Sequence, residues 1–143
     1  MSSGVGNDPL LEQWRDLESA HARVREALER ALEREHQLSL TEYEVLRRLA
    51  ESTVPKSLPT SEAPKGRRIQ ELADEVHLSQ SALSRLVDRL EQAGYVARAT
   101  CDHDRRGIFA CITEEGRKAE GAARPTHVAV LAETLGEART PAV

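Results

Sequence analysis

The sequence predicts a mainly α protein of α+β type, a winged helix-turn-helix framed by long N- and C-terminal dimerisation helices. Three observations carry this. A four-three apolar spacing runs through almost thirty N-terminal residues. Two short amphipathic segments separated by three residues follow in the middle. Directly after them the pattern switches from helical to alternating. The 143 residues suit a single domain, 1–143.

The first helix is expected over residues 9–37, where Leu10, Trp14, Leu17, His21, Val24, Leu28 and Ala31 recur at spacings of four and three. So long and narrow a stripe exceeds what a small domain can cover, and a second copy of the chain is its natural partner. Ser39-Leu40-Thr41-Glu42 has the form of a capping box and should open a second helix carrying Tyr43, Leu46 and Leu49 on one side and ending near Ser52. The next stretch, TVPKSLPTSEAPKGRR, has three prolines, one glycine and no periodicity, and reads as a loop.

Leu72, Ala73 and Val76 mark a short helix, His77-Leu78-Ser79 a tight turn, and residues 80–93 a second helix with Ser79 as N-cap and Gly94 as its terminal glycine. This is a helix-turn-helix over residues 69–94. On the second helix Leu83, Leu86, Val87 and Leu90 form one face. The opposite face offers Ser79, Gln80, Ser81, Ser84 and Arg85, short or forked polar groups suited to phosphates and base edges. Residues 95–113 then alternate as two short strands around the polar tip CDHDRRG, a β-hairpin that stands directly behind a recognition helix as a wing. An arginine at such a tip can enter a minor groove. Together residues 39–113 read as the DNA-binding region, and residues 9–37 and 114–136 as dimerisation helices.

Charge agrees with this division. Residues 1–64 carry 8 basic and 12 acidic side chains, residues 65–106 carry 8 and 7, and residues 107–143 carry 4 and 5. Only the middle is not acidic, and its cations cluster at Lys65, Arg67 and Arg68 and again at Arg105 and Arg106. Local clustering matters more than net charge, because phosphate contacts depend on potential within a Debye length, about 10 Å.

These residues resemble the MarR family of winged-helix repressors over roughly positions 10 to 125. The most specific part is Asp104-Arg105-Arg106, five intervening residues, then Ile112-Thr113 and Gly116, which is similar to the family's wing-to-helix signature in content and spacing. The resemblance implies a bacterial transcriptional regulator, an obligate homodimer with interlocking terminal helices, a palindromic operator in double-stranded DNA, and a small-molecule cleft between the dimerisation helices and the winged domain. It also implies that Arg106 enters the groove, that Asp104 orients the wing arginines, and that Gln80, Ser81, Ser84 and Arg85 make recognition contacts. His77 stands where many such turns have glycine, a substitution histidine tolerates because it adopts left-handed backbone more readily than most residues.

The C-terminal part is expected to depart from the family. Thr113 should cap a helix starting Glu114-Glu115 that Pro125 interrupts, so the dimer would rest on the first helix and residues 126–136, where Val128, Val130, Leu131 and Leu135 lie. Trp14, His21 and Tyr43, polar-tipped rings expected near the seam of the first two helices, are the candidates for an anionic or aromatic effector. His21 has packing in a dimer core as its plainer role.

Other functions fit poorly. No Ser/His/Asp or Cys/His arrangement and no glycine-rich phosphate loop is present, so no enzyme and no cofactor is expected. Cys101, Asp102, His103 and Asp104 do not supply the four spaced ligands of a structural zinc, and no metal is expected. Cys101 beside arginines, in a turn with metal-capable atoms, leaves a metal- or thiol-responsive regulator as an alternative reading, and a winged-helix protein-interaction module is another. The latter has no need for cations on both helix and wing. Hairpin pairing should set Cys111 opposite about Ala97, too far along the strand for a bridge to Cys101. No stretch approaches the roughly 18 apolar residues of a membrane span, and the start MSSGVGNDPL lacks a signal peptide's features, so a cytoplasmic location is expected.

Overall fold

Asp8 accepts a hydrogen bond from the Leu10 N–H at 2.9 Å and Pro9 occupies the first helical position, where its missing N–H costs nothing; helix α1 then runs Pro9–His36. Gln37 closes it in the left-handed region, φ 55°. The computed structural model describes residues 8–51, 67–101 and 104–139, the side chains of 99–108 and 137–139 excepted. The expected loop over residues 53–66 therefore lies outside the described residues, with Lys65, Asp102 and His103.

The capping box is present in both directions: the Glu42 N–H donates to Ser39 Oγ at 3.0 Å and the Ser39 N–H to Glu42 Oε1 at 2.8 Å. It opens α2, Leu40–Glu51, whose Tyr43, Val45, Leu46 and Leu49 are buried. Arg67–Arg68 then form a two-residue strand, β1, which corrects their expected place in the loop. Two residues have no period to read, and their partner lies some forty residues on: Arg67 pairs with Ala110 and Arg68 with Phe109.

Helix α3, Ile69–Glu75, and helix α4, Gln80–Gln92, flank the predicted turn. His77 takes φ 59°, the left-handed conformation that the turn demands and that glycine commonly supplies. Ser79 Oγ accepts from the Ala82 N–H at 3.1 Å, and Gly94 at φ 84° reverses the chain after α4. Strands β2, Val96–Cys101, and β3, Asp104–Ile112, pair antiparallel, and β1 adds to the far side of β3 in the order β1-β3-β2. The register sets Ala97 opposite Cys111, as expected, and Cys101 opposite Asp104.

The last helix, α5, is continuous over Glu114–Arg139, which corrects the interruption expected at Pro125. An interior proline removes one hydrogen bond and crowds the carbonyl four residues back, at a cost of about 3 kcal/mol. Packing offsets this: α5 lies along α1, where Thr126 Oγ1 lies 2.8 Å from His36 Nε2 and donates to Glu35 at 3.1 Å. Thr113 Oγ1 caps the helix by accepting from the Gly116 N–H at 3.0 Å while donating to the Gly94 carbonyl at 2.6 Å. At Gly116 a Cβ would meet the Tyr95 carbonyl oxygen at 2.1 Å, so only glycine lets α5 start against the base of the hairpin.

One core joins these elements. Leu28 and Leu32 of α1, Tyr43, Val45 and Leu46 of α2, Leu72 of α3, Leu83, Leu86, Val87 and Leu90 of α4, Val96, Ala110 and Ala123 are all buried in it. The N-terminal half of α1 lies outside this core: Leu10, Trp14 and Leu17 are 74%, 57% and 59% exposed. Among the described residues no helix is long and apolar enough to cross a membrane.

Candidate nucleic-acid interface

Helix α4 is positioned by its apolar face. Leu83, Leu86, Val87 and Leu90 recur at three, one and three residues, all buried, and anchor the helix on the core. The opposite face is thereby turned outward, and Ser79, Gln80, Ser81 and Arg85 are exposed on it, with Ser84 half-buried. The structure brings these five predicted residues onto one surface within two turns of helix. Ser79 Oγ lies 3.3 Å from Ser81 Oγ, and Arg85 Nε donates to the Ser81 carbonyl at 3.3 Å, which lays its guanidinium along the helix. The first backbone N–H groups of α4 have no partner within the helix and point the same way, toward where an anion is favoured.

The hairpin follows α4 directly. Asp104, Arg105 and Arg106 form the first residues of β3, and their side chains lie outside the described set. Two cations expected beside them are used within the fold instead. Arg67 pairs with Glu75, which also takes Arg48 at 3.5 Å, and the Arg68 guanidinium sits over the Phe109 ring, 5.6 Å from its centroid.

Sequence reasoning missed Arg98, the side chain that ties hairpin to helix. From β2 its Nη1 donates to Asp88 and, at 3.1 Å, to Glu91, while Nη2 donates to the Ser84 carbonyl at 2.9 Å and Ser84 Oγ at 3.1 Å. The hydrogen bond to Asp88 raises its already high pKa against the opposing effect of burial. The signal was present in the alternation: Arg98 shares a strand face with buried Val96, and an inward arginine requires carboxylates, which α4 supplies three residues apart.

A second feature lies between α2 and α5. A cleft of about 550 Å³ is lined by Tyr43, Arg47, Glu120, Arg124, His127 and Leu131, among others. Glu120 is 1% exposed; it accepts from the Tyr43 hydroxyl at 3.1 Å and from Arg124 Nε at 2.9 Å. Arg124's hydrogen bond holds the Glu120 carboxyl below its ordinary pKa despite burial. Burial, with the Glu120 charge behind it, pushes the Tyr43 phenol up to about 12. The His127 ring stands 4.7 Å from that of Tyr43, and burial followed by the Arg47 charge lowers its pKa. Arg47 Nε is buried with no hydrogen-bond partner among the described residues.

Of the three predicted effector residues only Tyr43 lines this cleft. Trp14 and His21 are exposed on α1 and are not brought to it. Arg47, Glu120, Arg124 and His127 were missed. Glu120, Arg124, His127 and Leu131 follow a four-three-four spacing on one helix face, a pattern hidden by the expected break at Pro125.

A sequence model of the MarR family matches residues 60–107, the stretch running through α3, α4 and most of the hairpin. The HTH-type transcriptional regulator PecS of Dickeya dadantii is 27% identical, with 75% of this chain and 68% of PecS covered. Sco3205, a MarR family transcriptional regulator from Streptomyces coelicolor whose crystal structure is of a complex with DNA, is 30% identical with a TM-score of 0.79; 99% of this chain and 81% of that one are covered. CouR from Rhodococcus jostii RHA1, whose crystal structure holds p-coumaroyl-CoA, is 26% identical with a TM-score of 0.72, covering 92% of this chain and 81% of CouR.

Proposed function

The chain belongs to the MarR family of transcriptional regulators, and we propose that it acts as a homodimeric repressor that binds a palindromic operator and is released from it by a small molecule. The observation that carries the DNA-binding part is the division of α4. One face is wholly buried in the core, and the other exposes Gln80, Ser81 and Arg85, with Ser84 half-buried among them, beside a hairpin bearing Asp104, Arg105 and Arg106. Gln80 and Arg85 read base edges, Ser79 and Ser81 hold phosphates at the helix start, and Arg106 enters the adjacent minor groove. Regulation of this kind needs no catalysis and no cofactor.

The dimer is supported by the exposed Leu10, Trp14 and Leu17 on α1 and by Val128 and Leu135 on α5, apolar surface that a second copy covers. We place residues 9–37 and 114–136 in that interface, and Trp14 and His21 with them. Two-fold symmetry then sets the two copies of α4 about 34–36 Å apart, one turn of duplex. The effector part rests on the α2–α5 cleft, where Tyr43, Arg47, Arg124 and His127 combine rings with cations suited to an anionic, aromatic molecule. CouR holding p-coumaroyl-CoA is a relative consistent with that chemistry.

A gel shift with a duplex enriched from a randomised DNA pool tests the reading. The parent protein retards it as a dimer and competitor DNA of unrelated sequence does not displace it. Absence of any shift at micromolar protein and low salt would refute DNA binding and favour a protein-interaction module.

A further inference from the structure

The geometry points to Arg98 as a positioning residue that determines how the recognition helix reads one base pair of each half-site, by fixing Ser84 as a hydrogen-bond donor toward the groove. The inference rests on the DNA-reading function proposed above and assigns to it a residue that makes no DNA contact of its own.

The Arg98 side chain is 24% exposed, low for an arginine beside a DNA-facing surface. Its guanidinium is occupied by acceptors at residues 84, 88 and 91 of α4, one stripe down the helix side that meets the hairpin, and its backbone N–H approaches Glu91 Oε2 at 3.5 Å. A side chain so held is removed from the cations available to phosphate.

The consequence for Ser84 follows from the chemistry of the two groups. Guanidinium has donors and no acceptor, so the 3.1 Å bond between Arg98 Nη2 and Ser84 Oγ has one polarity: the serine oxygen accepts. A serine in a helix commonly returns its proton to the carbonyl four residues back. Arg98 also draws on the Ser84 main-chain carbonyl at 2.9 Å, which pins the guanidinium to this turn and leaves the hydroxyl proton as the one group Ser84 can still offer. Among the described residues no acceptor takes that proton, and Ser84 stands one turn beyond Gln80 and beside Arg85, so the proton is free to face a groove. Ser84 thus selects base edges that accept at its position, guanine O6 and N7, adenine N7 or thymine O4, and disfavours the cytosine amino group.

Arg98 has a second effect in the same place. Asp88 and Glu91 stand on the exposed side of α4, 53% and 44% exposed, and without a partner their charges oppose phosphate approach. Arg98 takes up both carboxylates, so the helix presents its reading residues with that repulsion reduced.

The test uses the full chain and a randomised duplex pool. Parent, Ser84→Ala, Arg98→Ala and the double variant are each carried through selection, and preferences are read base by base. The parent enriches a two-fold motif with an acceptor-bearing base at one position per half-site. Ser84→Ala flattens that position alone. Arg98→Ala flattens the same position and weakens binding about tenfold across sequences, and the double variant matches Arg98→Ala in profile. Arg98→Lys, which keeps the charge and part of the pairing but cannot fork, restores general affinity while leaving the position flat, and it serves if Arg98→Ala melts early. The proposal is overturned if Arg98→Ala and Arg98→Lys keep the parent's profile, if the two single substitutions alter different positions, or if Ser84→Ala weakens every sequence equally. A parent that enriches no sequence overturns the DNA-reading function itself, a distinct outcome.

Discussion

Helices α1 and α4 are both amphipathic, and the chain completes one and leaves the other unfinished. In α4 every apolar residue of the stripe is covered by the chain's own core, so what remains exposed is polar and ordered: a capping serine, a glutamine, and an arginine laid along the helix. In α1 the stripe is covered only from about Val24 onward, and Leu10, Trp14 and Leu17 stay in solvent. The difference tells what each surface is for. A polar face on a helix with a satisfied apolar side awaits a polar partner, whereas an exposed apolar stripe continuous with a buried one awaits another protein surface.

Substitutions can break this contrast, and the largest effect is expected on α1. Leu10→Lys with Leu17→Lys places charges in the proposed seam while removing nothing from the chain's own core. Light scattering should give a monomer, with operator affinity reduced by more than about 100-fold because two linked half-sites become one. An unchanged dimer would move the interface elsewhere. Next in size is the core side of α4: Leu86→Ala should lower stability by about 2–5 kcal/mol in a denaturant titration, the range for a buried leucine. The exposed side behaves differently. Gln80→Ala or Arg85→Ala should leave the melting temperature within a degree or two and cost about 1–3 kcal/mol on the selected operator, with relaxed base preference.

The smallest expected effect is a pH dependence from α5. Burial and Arg47 lower the His127 pKa, while Glu44 and Glu120 oppose them, so the native state binds this proton less readily than the unfolded chain does. Stability therefore rises with pH through the window below the ordinary imidazole value of about 6.5 and is lost as pH falls through it. Melting curves of parent and His127→Gln between about pH 5 and 7.5, a window around that value, should converge in slope only above it.

How far the sequence could be read follows from where each signal resides. Caps and turns are local, so Ser39, Ser79, His77 and Gly94 all announce their roles within a few residues. The hairpin register was equally legible because strand alternation admits few pairings. The misses share a different character. β1 is held by β3 some forty residues away, and α5 continues past Pro125 because α1 supplies packing that no window around the proline contains. The outward polar face of α4 was visible as a period, and alternation put Arg98 on the inner face of its strand, but which helix carboxylates it meets needs the fold first. The α2–α5 cleft is of the same kind: Tyr43 was singled out, while its partners Glu120 and His127 lay on a helix thought to break between them.

We propose that this chain grips duplex DNA with helix and wing together, and anisotropy of a labelled operator across a salt titration reads the wing's share of that grip. For the parent, log affinity should fall linearly and steeply with log salt. For Arg106→Ala the line should be lower and its slope shallower by about 0.9 for each phosphate neighbour lost. Superimposable lines for parent and variant would remove the wing from the interface, and a parent whose binding ignores salt would remove phosphate contact altogether.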